Sequence, residues 1–197
     1  MHPHTALREV DSVVGLGVFA TAFIPRGTVV WVRDGLDQVV DDARLAALPP
    51  LLQAQVERYA HVDGQGRRVL CWDHARYMNH ACDPSTTSVG TLMEIARRDL
   101  SPGDALTCEY GLDYITAAFP CACGSAGCRG TLVPEDAAAQ RRRWDLESQA
   151  AFDAALRVEQ PVLAAASADD PGRFIIDAIL ARRPMRLPSW LEGTPGG

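Results

Sequence analysis

Three cysteines fall inside one short turn, CACGSAGC, as Cys121, Cys123 and Cys128, and no other feature narrows the folding options of this chain so far. Thiols in a CxC pair do not readily bridge each other. The start, MHPHTALREVD, lacks the basic and apolar regions of an export signal, and without export disulfides are disfavoured, so thiolate ligation of a soft metal is the better account. Zinc takes four ligands in a tetrahedron, so a fourth must come from elsewhere in the chain. Free thiols in a Gly-spaced turn are the alternative.

The chain has 197 residues, 47% of them hydrophobic, enough for a full core and in line with one domain plus an appendage. No apolar run approaches the roughly 20 residues of a membrane span, and a soluble, cytoplasmic protein is expected. A net charge of −6 argues against direct nucleic-acid binding and is compatible with a basic polypeptide partner. All 19 basic residues are arginine. Codon bias toward GC-rich triplets accounts for that best. A consequence remains: this chain offers no lysine of its own for modification.

Runs of β-branched and aromatic residues separated by turn signals make residues 7–32 β structure, in LREV, VVGLGVFAT and TVVWV. Gly15-Leu16-Gly17 is not a dinucleotide fingerprint, because the third glycine is missing and a strand follows rather than a helix. It reads as a turn whose backbone approaches something closely, or as a plain hairpin turn. DDARLAALPPLLQAQVERYA predicts two short helices around Pro49-Pro50, RRVLCW a strand, ARYMNHA a helical turn, and TSVGTLMEIARRDL and ALTCEY further strands. From Pro134 the pattern turns helical. Trp144, Ala151, Ala155, Val158 and Val162 predict one helix, and Phe174, Ile175, Ile176, Ile179 and Leu180 the apolar side of a second between Pro171 and Pro184. Arg141-Arg142-Arg143 reads as a solvated face or as a surface for an acidic partner. The fold class is mainly β with small helices, not alternating βαβ units.

GLG, then RYMNHACDP, then ALTCEYG followed by the CxCxxxxC cluster resemble the SET-domain protein lysine methyltransferases in content, order and separation. That family's wording is close to R-F-I-N-H-S-C-x-P-N and E-L-T-x-D-Y. The resemblance covers roughly residues 7–132. It implies a β-clip-like fold of short strands in several small sheets with a pseudoknot, plus an α-helical C-terminal extension. The divisions are a SET domain at 1–116 with a helical insert at about 36–60, a post-SET cluster at 117–133, and the extension at 134–197.

The resemblance also assigns roles. Gly15, Leu16 and Gly17 would lie against S-adenosylmethionine through their backbone, and Tyr59, Arg76, Asn79 and His80 would contact it by side chain. Cys82 would join Cys121, Cys123 and Cys128 on a structural zinc, and Tyr110 would sit where the methyl group passes to a lysine of a protein or peptide substrate. His80 would then face the cofactor, so that replacing it spares the zinc. Departures are equally visible. Cys108 stands where the family carries Phe or Tyr, implying a roomier channel. Val32-Arg33-Asp34-Gly35 replaces Glu-Tyr-x-Gly, leaving Trp31, Trp72 or Tyr114 as substitutes for a channel tyrosine, and no aromatic follows Cys128-Arg129-Gly130. A catalytically weak SET-like module that binds a peptide and uses its helical tail for assembly is the second reading. A Cys/His hydrolase built on His80 or His74 is the third and weakest. The tail itself is either a helical pair packed on the domain or a dimer or docking surface.

Overall fold

The computed structural model describes residues 1–63, 65–111, 115 and 117–189. Strands are short, as the turn-separated runs predict. β1 (Thr5–Asp11) and β2 (Gly15–Ala20) make a hairpin, followed by β3 (Val29–Val32) and β4 (Gln38–Val40). The expected helix pair follows as α1 (Asp42–Ala47) and α2 (Pro50–Tyr59). Asp41 caps α1 by accepting the Arg44 N–H at 2.7 Å, and Pro50 sits in the first turn of α2, where its missing N–H costs nothing.

β5 (His61–Val62) and β6 (Arg68–Leu70) close a small sheet of order β4-β6-β5. A 3-10 turn, His74–Tyr77, leads into β7 (Asn79–His80), then β8 (Thr86–Val89), β9 (Met93–Ala96) and β10 (Ala105–Cys108). Two further sheets have orders β1-β2-β10-β7 and β3-β9-β8, and β11 (Phe119–Pro120) pairs with β12 (Thr131–Leu132) across the cysteine turn.

α3 (Asp136–Ala155) and α4 (Arg173–Leu180) lie against the β3-β9-β8 sheet. Val29, Met93 and Ile95 of the sheet share one core with Phe152, Ala155, Leu163, Ile176 and Ile179. Each large side chain fully removed from water there contributes roughly 1.5–3 kcal/mol. The helical tail is therefore packed on the domain. A Cβ on Gly27 would stand 2.6 Å from the Ala154 carbonyl carbon, so only glycine lets the end of α3 come this close.

Two helix expectations are corrected. α3 ends at Ala155 rather than running on to Val162, because the Gln160 amide takes the Ala155 carbonyl at 3.0 Å and the Gly27 carbonyl at 2.9 Å, while its oxygen accepts Val29 N–H at 2.8 Å. One side chain satisfies the helix end and pins it to β3. In α4, Ile175, Ile176 and Ile179 are buried, whereas Phe174 and Leu180 lie on the exposed side.

One of the buried acids lies within the β8-β9 pairing. Glu94 is buried, and its carboxyl meets the Thr86 hydroxyl at 2.5 Å and the Ser88 hydroxyl at short range. Thr86 has one hydroxyl proton and also lies 3.0 Å from the Thr107 carbonyl. Both contacts are satisfied when Glu94 carries a proton and donates it to Thr86. Burial, the largest influence, pushes the Glu94 pKa from 4.5 up to about 7 against the two hydroxyls that favour the charge. A raised folded-state pKa means that the stability contributed is full below about 4.5 and is lost as pH rises through about 7. Urea unfolding of the wild type is expected to weaken across that window, and Glu94→Gln to flatten the dependence. An unchanged pH slope in the variant would remove Glu94 as its source.

Candidate functional site

β7 runs parallel to β10, with Asn79 beside Thr107 and His80 beside Cys108. The pairing sets the Asn-His dipeptide next to the end of the strand that leads into Tyr110. From there Asn79 reaches across to β2, where its Nδ2 donates to the Leu16 carbonyl at 2.9 Å. Gly15 adopts φ +82, and a Cβ on Gly17 would meet Asn79 Nδ2 at 3.0 Å and Val10 Cγ2 at 2.8 Å. A side chain at Gly17 would crowd Val10 first and Asn79 next. Gly15, Leu16, Gly17 and Asn79 are brought together, and the Asn79 Oδ1 and second N–H have no hydrogen-bond partner among the described residues.

Tyr110 follows β10. Its hydroxyl donates to the Met78 carbonyl at 2.7 Å, and its backbone N–H donates to His80 Nδ1 at 3.1 Å. The His80 and Phe119 rings lie 5.5 and 6.1 Å from the Tyr110 ring, and Tyr110 packs against the buried cluster that contains Met78 and Cys108. Burial pushes the phenol pKa up, as it does the Cys108 thiol, so both keep their protons.

Beyond His80 lie the thiols. The sulfurs of Cys82, Cys121, Cys123 and Cys128 all lie within 4.8 Å of one another, with Cys82 to Cys121 at 3.8 Å and Cys121 to Cys128 at 3.7 Å. Zinc–sulfur bonds of roughly 2.3 Å in a tetrahedron put the sulfurs about 3.8 Å apart, so the four fit a zinc ion. The surroundings suit thiolates. Cys82 Sγ faces the Arg129 N–H at 3.4 Å, Arg129 Nε at 3.5 Å and His80 Nε2 at 3.4 Å, and Cys123 Sγ accepts the Cys82 N–H at 3.3 Å. At Cys123, burial opposes ionisation but the Cys82 N–H and Ser125 outweigh it and lower the pKa to about 6, while burial pushes Cys121 up to about 12.

His80 differs from expectation. Its Nδ1 accepts the Tyr110 N–H and its Nε2 points at Cys82 Sγ, so the imidazole is spent inside the protein rather than turned toward a ligand. Burial, the first cause, lowers its pKa and keeps the ring neutral. The Arg76 guanidinium is likewise committed, to the Trp72 and Asp73 carbonyls at 2.7 and 3.2 Å, and Tyr59 stacks edge-on against Tyr77 at 5.2 Å. Of the proposed aromatic substitutes, Trp31 is buried against His61 and Trp72 is half-exposed with its indole N–H on Asp34 at 2.9 Å. Tyr114 lies outside the described residues. Where no aromatic follows Cys128-Arg129-Gly130, Phe119 on the paired strand β11 places a ring 6.1 Å from Tyr110.

Glu109 and Arg129 were given no role from sequence, and Arg143 only a surface one. Glu109 is 3% exposed, and both its oxygens are held by Arg129 Nη2, at 2.6 and 2.7 Å. Arg143 Nη2 approaches it at 3.9 Å, so the arginine triplet is not wholly a solvated face. The only signal available was the Glu109-Tyr110 pair and the Cys128-Arg129-Gly130 run, each of which looks local until the fold brings them together.

Residues 15–111 match the SET domain family. Histone-lysine N-methyltransferase, H3 lysine-4 specific, of Eremothecium gossypii is 38% identical over 68 residues, 29% of this chain and 7% of that protein. The chain thus spans a small part of the curated relatives it matches. Among solved structures, the methyltransferase domain of human SETMAR covers 66% of this chain and 57% of its own at 18% identity and TM-score 0.47. KRYPTONITE, solved with mCHG DNA and SAH, covers 62% of this chain and 27% of its own at 22% identity and TM-score 0.43. The chain carries a SET domain, at residues 15–111.

The His80 geometry generates a prediction opposite to the sequence expectation. Cys82→Ser should lose zinc, and His80→Ala, which removes one donor from the Cys82 sulfur, should weaken retention about tenfold. Transfer of zinc to a chromophoric chelator measures both. Wild-type retention in His80→Ala would show the imidazole to be irrelevant to the metal.

Proposed function

We propose that the chain is an S-adenosylmethionine-dependent protein-lysine N-methyltransferase with a structural zinc in a post-SET cluster. The SET domain match carries the reading, and the Tyr110 hydroxyl fixed on the Met78 carbonyl gives it a reaction centre. The curated relative named for histone-lysine methylation supports lysine in a protein or peptide as the acceptor. When bound, S-adenosylmethionine supplies a methyl group on a sulfonium whose sulfur leaves as a neutral thioether.

Asn79 would hold the cofactor through the amide atoms that the Leu16 contact leaves open, beside the start of β2, where Leu16 is exposed and Gly17 buried. The catalytic demand on the remaining residues is orientation, since in-line displacement gains mainly from alignment. Tyr110 gives its proton to the Met78 carbonyl, and this bond would orient the phenol toward the place where the methyl group passes to the amine. The Met78 carbonyl is an acceptor at the same place. A lysine amine with an ordinary pKa near 10.4 must be neutral to react, and the apolar cluster of Met78 and Cys108 against which Tyr110 packs would disfavour its charged form.

Two measurements test the reading. Calorimetry should detect S-adenosylmethionine binding to the wild type, and label should pass from it to lysine in acceptor proteins. Tyr110→Phe should keep cofactor affinity and lose about 100-fold or more in turnover. Absence of cofactor binding would leave the peptide-binding module as the surviving reading.

The degree of methylation follows from Cys108, a small buried side chain beside Tyr110. The channel is expected to admit an amine that already carries methyl groups. Mass spectrometry of substrate under excess cofactor should show two or three added methyls, and a product stopping at one would contradict this.

A further inference from the structure

Two chains of hydrogen bonds leave the same atom, Cys82 Sγ, and end on the peptide groups on either side of the Tyr110 Cα. One passes through His80, from Nε2 at 3.4 Å from the sulfur to Nδ1, which accepts the Tyr110 N–H at 3.1 Å. The other passes through the Arg129 side chain. Its Nε lies 3.5 Å from Cys82 Sγ, its Nη2 holds both Glu109 oxygens, and Glu109 Oε1 accepts the Gly111 N–H at 2.8 Å. The cysteine turn does not need this side chain to reach Cys82, because the Arg129 backbone N–H already donates to the sulfur at 3.4 Å.

We propose that Arg129, acting through Glu109, is a positioning residue that transmits the geometry of the filled thiol cluster to Tyr110. The inference rests on the methyltransferase reading. Physically, Glu109 is too buried to keep its charge without a partner, and a guanidinium offers donors in a fixed plane, one toward the sulfur and one toward the carboxylate. The other cation nearby, Arg143, stands 3.9 Å away on a half-exposed side chain and cannot fix the carboxylate orientation. With Arg129 in place, the carboxylate holds Gly111, His80 holds Tyr110, and the phenol is directed at Met78. Without it, Glu109 turns toward water or toward Arg143, and the turn after Tyr110 loosens while the metal stays.

The test uses the full zinc-loaded chain with Arg129→Gln and the double variant Arg129→Gln/Glu109→Gln. The double variant removes the buried charge yet keeps an acceptor for Gly111. Zinc stoichiometry and the calorimetric dissociation constant for S-adenosylmethionine should stay at wild-type values in both. In Arg129→Gln, kcat should fall about 10- to 100-fold, and amide hydrogen exchange at Gly111 should quicken at least about tenfold while Thr107 on β10 keeps its protection. The double variant should recover Gly111 protection and part of kcat. Wild-type kcat and exchange in Arg129→Gln would overturn the proposal, as would a loss of kcat in step with zinc, or a double variant no better than the single. A wild type that binds no cofactor or transfers no methyl group sinks the enzyme reading instead, and the exchange data then judge the coupling on their own.

Discussion

The carboxylate of Glu109, held at 3% exposure, is the constraint around which the site is organised. A charge removed from water needs a close opposite charge and filled hydrogen-bond positions, or it is expelled. Here the close opposite charge is Arg129 at 2.6 Å, with Arg143 farther off at 3.9 Å, while the neighbouring His80 is neutral and uses Nδ1 to accept the Tyr110 N–H. Arg129 in turn belongs to the cysteine turn. Burial of one acid therefore links the end of β10, the Asn-His strand and the thiol cluster into a unit that forms together.

The helical extension belongs to that unit as well. Asp136 at the start of α3 faces Arg129 at 3.7 Å, Arg143 faces Glu109, and a Cβ on Gly111 would come 3.2 Å from the Trp144 ring. Further along, the Ser148 hydroxyl donates to the Ser88 carbonyl at 2.8 Å, beside the buried Glu94. α3 is thus a wall of the site on one edge and a layer over the β3-β9-β8 sheet on the other.

What could be read from residues in order was contiguous chemistry. The GLG segment, which opens β2 rather than forming a turn, the RYMNHACDP run and the cysteine spacing each concentrate their information in a few neighbouring positions, and Cys82 does meet the other three thiols. The strands were legible because β-branched runs alternate with turn residues, and α1 and α2 because Pro49-Pro50 marks their boundary. Long-range partner choice was not legible. Nothing local tells His80 to spend both nitrogens inside, Gln160 to end α3, or Glu109 to find an arginine beyond Cys128, since each depends on which strand lies alongside. Phe174 and Leu180 were misjudged for a related reason: an apolar residue near a helical stripe is buried only where another layer covers it.

The departure at Val32-Arg33 has a structural reason of the same long-range kind. Arg33 stands near the position where the resembled family carries a channel tyrosine, yet its guanidinium lies 3.6 Å from Asp63 next to β5 and 4.0 Å from Asp170 before α4. Its backbone joins in, donating to the Leu92 carbonyl at 2.8 Å and accepting the Ser167 N–H at 3.1 Å, while Asp34 bridges to Ala166. The end of β3 is thereby committed to holding the insert and the extension together. An aromatic ring there would have no carboxylates to pair and would leave Asp63, buried and otherwise held by the half-exposed Arg67, with one cation fewer. Among the described residues, the His80 and Phe119 rings lie near Tyr110, the first tied to the thiol cluster and the second in the hairpin that frames it. Through these two rings the cysteine turn, far along the sequence, has a direct hold on Tyr110.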